Sequence, residues 1–177
     1  VDKLTLSFAT GRGGHKPILM FPDSRRAEKC WNGFKQLTEM MLRSDPDRKI
    51  IWAGSNYQPD KGTLPPDRFL NLTGNTSLVS LPALIQRAEW VFTNDSGPMH
   101  LAAALGVPTL AVFGPTDPRL FGPYPLTSPT NLVVQAPAWL VGRTILARTD
   151  GLVELRHAKG TVWNGEADAL VKGGPAA

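Results

Sequence analysis

The sequence predicts an α/β domain of the doubly wound kind, a parallel sheet with helices on both faces. Three observations carry that expectation. Short apolar runs recur without polar alternation, the pattern of strands buried on both faces. Between them lie stretches with apolar residues at spacings of three and four, the pattern of one-sided helices. The two patterns alternate along the chain, as a parallel sheet with crossover helices requires.

Residues 1–17 hold the Gly- and Arg-rich stretch from Ala9 to Lys16 and read as a linker. The chain opens on Val1 without the uninterrupted apolar stretch of a secretory signal, which reads as a fragment boundary. The domain is expected over residues 18–135. Its first strand is the run Ile18–Pro22, ILMFP. Trp31, Phe34, Leu37 and Met41 then form one apolar stripe, a helix stopped at Asp45–Pro46. Lys49–Gly54 (KIIWAG) and Phe69–Leu72 are the next strands, and Leu78, Leu81, Leu84, Ile85 and Ala88 make a second helical stripe. Trp90–Asn94 (WVFTN) is a strand running into a short helix over Pro98–Leu105, closed by Gly106 as its C-cap and by Pro108 soon after. Pro108–Gly114 (PTLAVFG) and Asn131–Gln135 complete the strands. Residues 136–177 carry scattered glycines and a GGPAA end, and no element is assigned to them.

Composition sets the class. The chain has 177 residues, 42% hydrophobic and 19% charged, with a net charge of +4, enough for one core and too little for two full-sized domains. No apolar run approaches the roughly 18 residues of a membrane span. Cys30 is the single cysteine, so neither an internal disulfide nor a cysteine metal cluster is available, and a cytoplasmic setting is expected. The sequons at Asn71, Asn75 and Asn94 then read as chance matches. A mild positive balance suits an anionic small molecule or an acidic membrane surface. The basic residues are scattered with few aromatics among them, which argues against nucleic acid as a partner.

Ligands of open parallel sheets sit beyond the carboxyl ends of the strands. Two such ends carry unusual polar content here. Asn94–Asp95–Ser96–Gly97 leads into the third helix: Gly97 lets the backbone approach a bound group, and Pro98 occupies the first turn without wasting an N–H. The helix N-terminus favours an anion by about 0.3–1 kcal/mol, and Ser96 adds a hydroxyl. His100 follows Ser96 by one turn, so its imidazole is placed for the same site. On spacing alone, Asp95 as a mere N-cap and His100 as a half-buried, satisfied histidine stand level with that reading. Asp95, Ser96 and His100 also supply the residue types of a hydrolase triad, but Ser96 lacks the G-x-S-x-G elbow and helical spacing does not chain the three by hydrogen bonds. The other end, after ILMFP, holds Asp23 and Ser24 followed by the basic cluster Arg25, Arg26 and Lys29, either a solvated patch or a phosphate partner. Three weaker motifs are set aside. The stretch from Gly11 to Lys16 lacks the spacing of a phosphate loop, Asp45–Pro46–Asp47 reads as a turn rather than a metal site, and Gly114–Pro115–Thr116–Asp117–Pro118 is a rigid turn placed to wall a cleft.

Taken together, TNDSGPMHLAAALGVPTLAVFGPTDP resembles the signature of the ADP-heptose:lipopolysaccharide heptosyltransferases, glycosyltransferase family 9. Leu72–Thr73–Gly74–Asn75–Thr76–Ser77–Leu78 is similar to that family's L-T-G-x-T-S-L segment, and Pro22–Asp23–Ser24 through Lys29–Cys30–Trp31 to its P-G-S…K-x-W segment. The resemblance covers roughly residues 18 to 125. It implies the C-terminal, donor-binding half of a GT-B glycosyltransferase with a Rossmann-like sheet, and an inverting displacement that needs neither a metal nor a resident cofactor. Asp95 would contact sugar hydroxyls. Ser96, Gly97 and His100 would hold the pyrophosphate, with Ser24, Arg25 and Lys29 assisting. Thr76, Ser77 and Leu78 would lie near the adenosine. Lys29 and His100 would stabilise the leaving diphosphate, and the general base would belong to an N-terminal domain absent from this chain, so no appreciable transfer by these residues alone is expected. The implied partners are a nucleotide-sugar donor, ADP-heptose by the resemblance, and a lipopolysaccharide-core or other glycan acceptor, with contact at the inner face of the bacterial inner membrane.

Four departures stand out against that pattern. Asn32–Gly33 stands where the family has Pro after Trp; Arg25–Arg26 makes the loop more basic; no acidic residue directly follows Trp52–Ala53–Gly54–Ser55; and the tail after Asn131 differs. Two other readings stay open: a relative that uses another nucleotide sugar, including a sugar epimerase, and a non-catalytic module that keeps the nucleotide pocket.

Overall fold

In a computed structural model the described residues are 8, 15–55, 64–125, 129–134, 153–159 and 166–171. Six strands form one sheet: β1 (Ile18–Phe21), β2 (Ile50–Trp52), β3 (Phe69–Asn71), β4 (Trp90–Asn94), β5 (Thr109–Val112) and β6 (Asn131–Val134). All neighbours are parallel, and the spatial order is β3-β2-β1-β4-β5-β6. Every expected strand is present, and the doubly wound expectation is borne out.

The reason lies in the alternation of side chains along each strand. Ile18 and Met20 face one core with Ile50, Trp52, Phe92 and Leu110, while Leu19 and Phe21 face a second with Ile51 and Val91. Helix α1 (Phe34–Ser44) covers the first core with Phe34, Leu37 and Met41. Burying each such side chain contributes roughly 1.5–3 kcal/mol. Helices α2 (Leu81–Ile85) and α3 (Gly97–Ala104) cover the second with Leu84, Ile85 and Ala102. Because both faces are buried, no strand needs a polar side, which is why the runs read as continuously apolar.

Helix boundaries show where local chemistry overrides periodicity. α1 begins at Phe34, after a turn at Asn32–Gly33, and Trp31 packs edge-on against Phe34 with ring centroids 5.2 Å apart. The stripe expected from Leu78 to Ala88 shrinks to Leu81–Ile85. Ser77 and Ser80 exchange hydroxyl–backbone bonds in both directions and form a turn instead of a helical start, leaving Leu78 and Val79 87% and 91% exposed. α3 ends as expected, with Gly106 at φ +69°. Asp45–Pro46–Asp47 is a turn in which Asp45 Oδ1 accepts the Asp47 N–H.

Beyond the domain, Val153–Lys159 (β7) and Glu166–Val171 (β8) pair antiparallel as a separate two-stranded sheet, a feature no sequence pattern pointed to. The rest of residues 136–177, and most of the expected linker over residues 1–17, lie outside the described residues.

Between the sheet and α1, the indole N–H of Trp52 donates to Thr38 Oγ1 at 3.0 Å, and both residues are fully buried. Thr38→Val removes that acceptor from the core and is expected to cost about 1–3 kcal/mol in denaturant unfolding. Thr38→Ser keeps the hydroxyl and should cost less. Equal losses from the two variants would show that packing, not the hydrogen bond, is what Thr38 supplies.

Candidate functional site

The strand order reverses between β1 and β4, so the loops leaving their carboxyl ends diverge and open a crevice. The cleft there has a volume of about 1020 Å³. From the β1 side it is lined by Asp23, Ser24, Arg25, Arg26 and Lys29, and from the β4 side by Asp95, Ser96, Gly97 and Pro98. Gly54, Ser55, Gly74, Thr76 and Leu78 line its far end, beyond β2 and β3.

The β1 loop has little packing of its own: its 3-10 turn, Ala27–Lys29, buries no residue. Polar bonds to the end of β4 hold it. Asn94 is fully buried and spans the loop, its Oδ1 accepting the Trp31 N–H at 3.0 Å and its Nδ2 donating to the Pro22 carbonyl at 3.0 Å. Asp95 is buried next to it. One of its oxygens, Oδ2, accepts from Lys29 Nζ at 2.6 Å and from the Thr116 hydroxyl of the loop after β5. Lys29 Nζ also lies 5.9 Å from the centre of the Phe121 ring. Phe121 ends the short helix α4 (Pro118–Phe121), whose N-cap is Asp117. The Arg119 side chain forks onto Asp117, Nη2 to Oδ2 at 2.7 Å, and those bonds hold the Asp117 carboxyl below its usual range. The rigid turn over residues 114–118 thus reaches the site through Thr116, and the helix that follows it through Phe121.

Asp95 is therefore not the N-cap of α3. That position belongs to Ser96, in extended conformation and making no side-chain cap bond; its hydroxyl lies near Thr93 Oγ1 and the Asn94 carbonyl. The first turn of α3 borders the cleft without a side-chain cap from Ser96; the Met99 N–H turns back to the Ser96 carbonyl at 3.1 Å, and Pro98 costs the turn no donor. A Cβ placed on Gly97 would meet nothing within 4 Å, because the position faces open space.

A model of glycosyltransferase family 9 (heptosyltransferase) matches residues 3–137. The chain belongs to glycosyltransferase family 9. It is 28% identical over 121 residues to lipopolysaccharide heptosyltransferase 3 of Escherichia coli, covering 63% of this chain and 35% of that one. Over 54 residues, 30% of this chain and 16% of the relative, it is 46% identical to lipooligosaccharide heptosyltransferase 2 of Haemophilus influenzae. Among solved structures it resembles the E. coli ADP-heptose lipopolysaccharide heptosyltransferase II, with a TM-score of 0.58 and 25% identity over 77% of this chain and 44% of that one. The family 9 glycosyltransferase of Veillonella parvula superposes with a TM-score of 0.61 at 23% identity, covering 80% of this chain and 42% of that one. The chain spans about a third of the length of the longest-matching of these curated relatives.

Of the residues singled out from sequence in this family 9 domain, Ser24, Arg25, Lys29, Thr76, Leu78, Asp95, Ser96 and Gly97 line one cleft. Two do not. His100 is exposed on α3 beside the cleft's lining positions Gly97, Pro98 and Leu101, and it is not the half-buried histidine of the alternative reading. Ser77 is turned to its own loop, bonded to Ser80. Sequence reasoning missed the contacts that bind loops together, Asn94 to Pro22 and Trp31, Thr116 to Asp95, and Asp23 to the Ser55 N–H at 2.6 Å. Their only sequence signal is polar residues clustered at strand ends.

Lys29 and Asp95 should behave as a coupled pair. Lys29→Met strands the Asp95 carboxylate and is expected to cost about 2–3 kcal/mol, below the roughly 3–5 of a fully enclosed pair because the Lys29 side chain keeps 17% exposure. Adding Asp95→Asn should recover most of that loss. Additive effects in the denaturant-unfolding cycle would mean that the two are not energetically linked.

Proposed function

We propose that this chain is the donor-binding domain of a glycosyltransferase that moves a heptose from a nucleoside diphosphate to a lipopolysaccharide-core acceptor by inverting displacement. The observation that carries the reading is the convergence of the uncapped N-terminus of α3 with Ser24, Arg25 and Lys29 on one cleft at the switch point of the sheet. Helix N-termini and short-range cations favour a diphosphate. Membership of family 9 and the likeness to an ADP-heptose enzyme support heptose and adenine as its two ends.

In this reading the diphosphate lies across Ser96, Gly97 and Ser24, with Arg25 above it. Asp95, held by Lys29 and Thr116, faces the sugar hydroxyls, and Thr76 and Leu78 border the base. As the glycosidic bond breaks, negative charge grows on the departing diphosphate. Lys29 and the α3 N-terminus stabilise that charge more than they stabilise the ground state, which is the condition for accelerating the step. His100 is assigned no contact with the phosphates. The general base and the acceptor contacts belong to the remainder of a two-domain enzyme, working at the inner face of the cytoplasmic membrane.

Calorimetric titration of the chain with ADP, UDP and GDP tests the reading. ADP should bind, and more tightly than the other two. Lys29→Ala is expected to weaken ADP by about tenfold, the size of one charge-assisted hydrogen bond, and an unchanged affinity removes Lys29 from the phosphate site. Binding of none of the three diphosphates would overturn the proposal.

Gly97→Ala separates folding from binding. The position is open and its backbone is not left-handed, so unfolding should be unaffected or slightly harder. The added methyl would intrude where the phosphates come closest, and ADP affinity should fall. Undiminished ADP affinity would place the phosphates elsewhere.

A further inference from the structure

We infer that Asp23 binds the ribose hydroxyls of the donor nucleotide, taking the place of an acidic residue at the end of β2. The assignment rests on the nucleotide-sugar reading of the same cleft.

Its first support is position. The phosphate end of the cleft is marked by Ser24, Lys29 and the start of α3, and the base end by Thr76 and Leu78. Asp23 lies between, beside Gly54 and Ser55. A ribose is the unit that joins a base to a diphosphate, so it must cross this part of the cleft.

The second is chemistry. In doubly wound nucleotide sites an acidic side chain near the end of the second strand accepts hydrogen bonds from the ribose hydroxyls. Here Trp52–Ala53–Gly54–Ser55 carries no carboxylate and none directly follows it, since residue 56 is Asn. The Asp23 carboxylate reaches across from β1 instead, Oδ2 accepting the Ser55 N–H at 2.6 Å. A carboxylate offers about four acceptor positions over its two oxygens, so the bonds that orient it, the one from the Ser55 N–H among them, leave room for a hydroxyl donor.

The third is the space made for it. Gly54 has φ +135°, and a Cβ there would lie 2.1 Å from Asp23 Oδ1. The carboxylate therefore occupies the volume that any side chain at residue 54 would fill. Asp23 stands where the family's P-G-S segment has Gly, and no acidic residue directly follows Ser55. Among the described residues, the carboxylate at this part of the cleft comes from the β1 loop. A carboxylate so near a diphosphate is repelled by it, and Arg25 lines the cleft and offsets that charge, whereas Arg26 is already paired with Glu28 at 3.8 Å.

The test is titration of the chain and its Asp23→Asn and Asp23→Gly variants with ADP, 2′-deoxy-ADP and 3′-deoxy-ADP, with thermal melts to verify folding. The wild-type chain should prefer ADP over at least one deoxy analogue by about ten- to hundredfold, the size of a hydrogen bond to a charged group. Asp23→Gly should erase that preference while still binding the diphosphate, and Asp23→Asn should reduce it. Adding Ser55→Glu to Asp23→Gly should restore it. Equal wild-type affinity for ADP and both analogues overturns the assignment. So does an Asp23→Gly variant that binds every ligand more weakly with its preference intact, since Asp23 would then only brace Ser55. If the wild-type chain binds no nucleoside diphosphate at all, the donor-site reading itself falls, and this assignment with it.

Discussion

The cleft depends on a single buried amide. The loop from Pro22 to Trp31 supplies the basic residues of the site, yet its 3-10 turn buries nothing and hydrophobic packing cannot fix its path. Asn94 donates to the carbonyl at one end of that loop and accepts from the N–H at the other, closing it against β4 from both sides. Only an uncharged side chain carrying both a donor and an acceptor can do this. An aspartate in its place would lose the donor to Pro22 and bury a charge, and an apolar residue would leave two backbone groups without partners in a region that water does not reach. The rest of the site follows from that closure, because Ser24, Arg25 and Lys29 all ride on the bracketed loop.

Asp95 extends the same device by one residue. Neighbours on a strand point to opposite sides, but β4 ends at Asn94, and Asp95 already belongs to the turn. Its carboxylate can thus reach forward to Lys29 and Thr116, tying together the loops after β1 and β5. A lysine paired in this way is oriented before any anion arrives, and its charge is partly spent. In the proposed reading an arriving phosphate would have to share it, and Lys29 would contribute less to ground-state binding than a free ammonium. A pair oriented in advance is the arrangement that electrostatic stabilisation of a departing anion calls for.

Most of the fold was legible in the sequence because burial on both faces leaves a one-dimensional trace. Four strands were visible as apolar runs ending in Pro, Gly or Asn and two more as short apolar stretches, with α1 and α3 as stripes with recognisable stops. α2 was overextended because periodicity does not see hydroxyls: Ser77 and Ser80 bond each other's backbone and start a turn where the leucine spacing continued a helix. The residues at the site were legible for a similar reason, since strand ends of a parallel sheet all point to one edge. Their pairings were not. Lys29 and Asp95 are 66 residues apart, and Asn94 and Pro22 are 72, so their meeting depends on the order of strands in the sheet, which no local pattern encodes. His100 lies one turn from Ser96 by helical spacing, but the azimuth of α3 is set by Met99 and Ala102 packing inward, which leaves His100 exposed.

Departures from a family pattern are easily read as loss of function when taken one at a time. In this cleft they have to be read together, because a binding site is constrained by its total charge and its available volume more than by the identity of any one position. A glycine replaced by Asp23 adds a negative charge and a side chain where the neighbouring strand end must supply room. Gly54, in a backbone conformation that only glycine adopts cheaply, supplies it. The added negative charge lies beside the proposed anion site and would weaken it unless positive charge is added to the same cleft. Arg25, which follows Ser24 and lines that cleft, is placed to do so, while Arg26 pairs with Glu28. An acidic side chain at Ser55 as well would place two carboxylates over one glycine and raise the cost of ionising either. Charge and space together therefore favour one carboxylate beside Gly54, and among the described residues Asp23 supplies it.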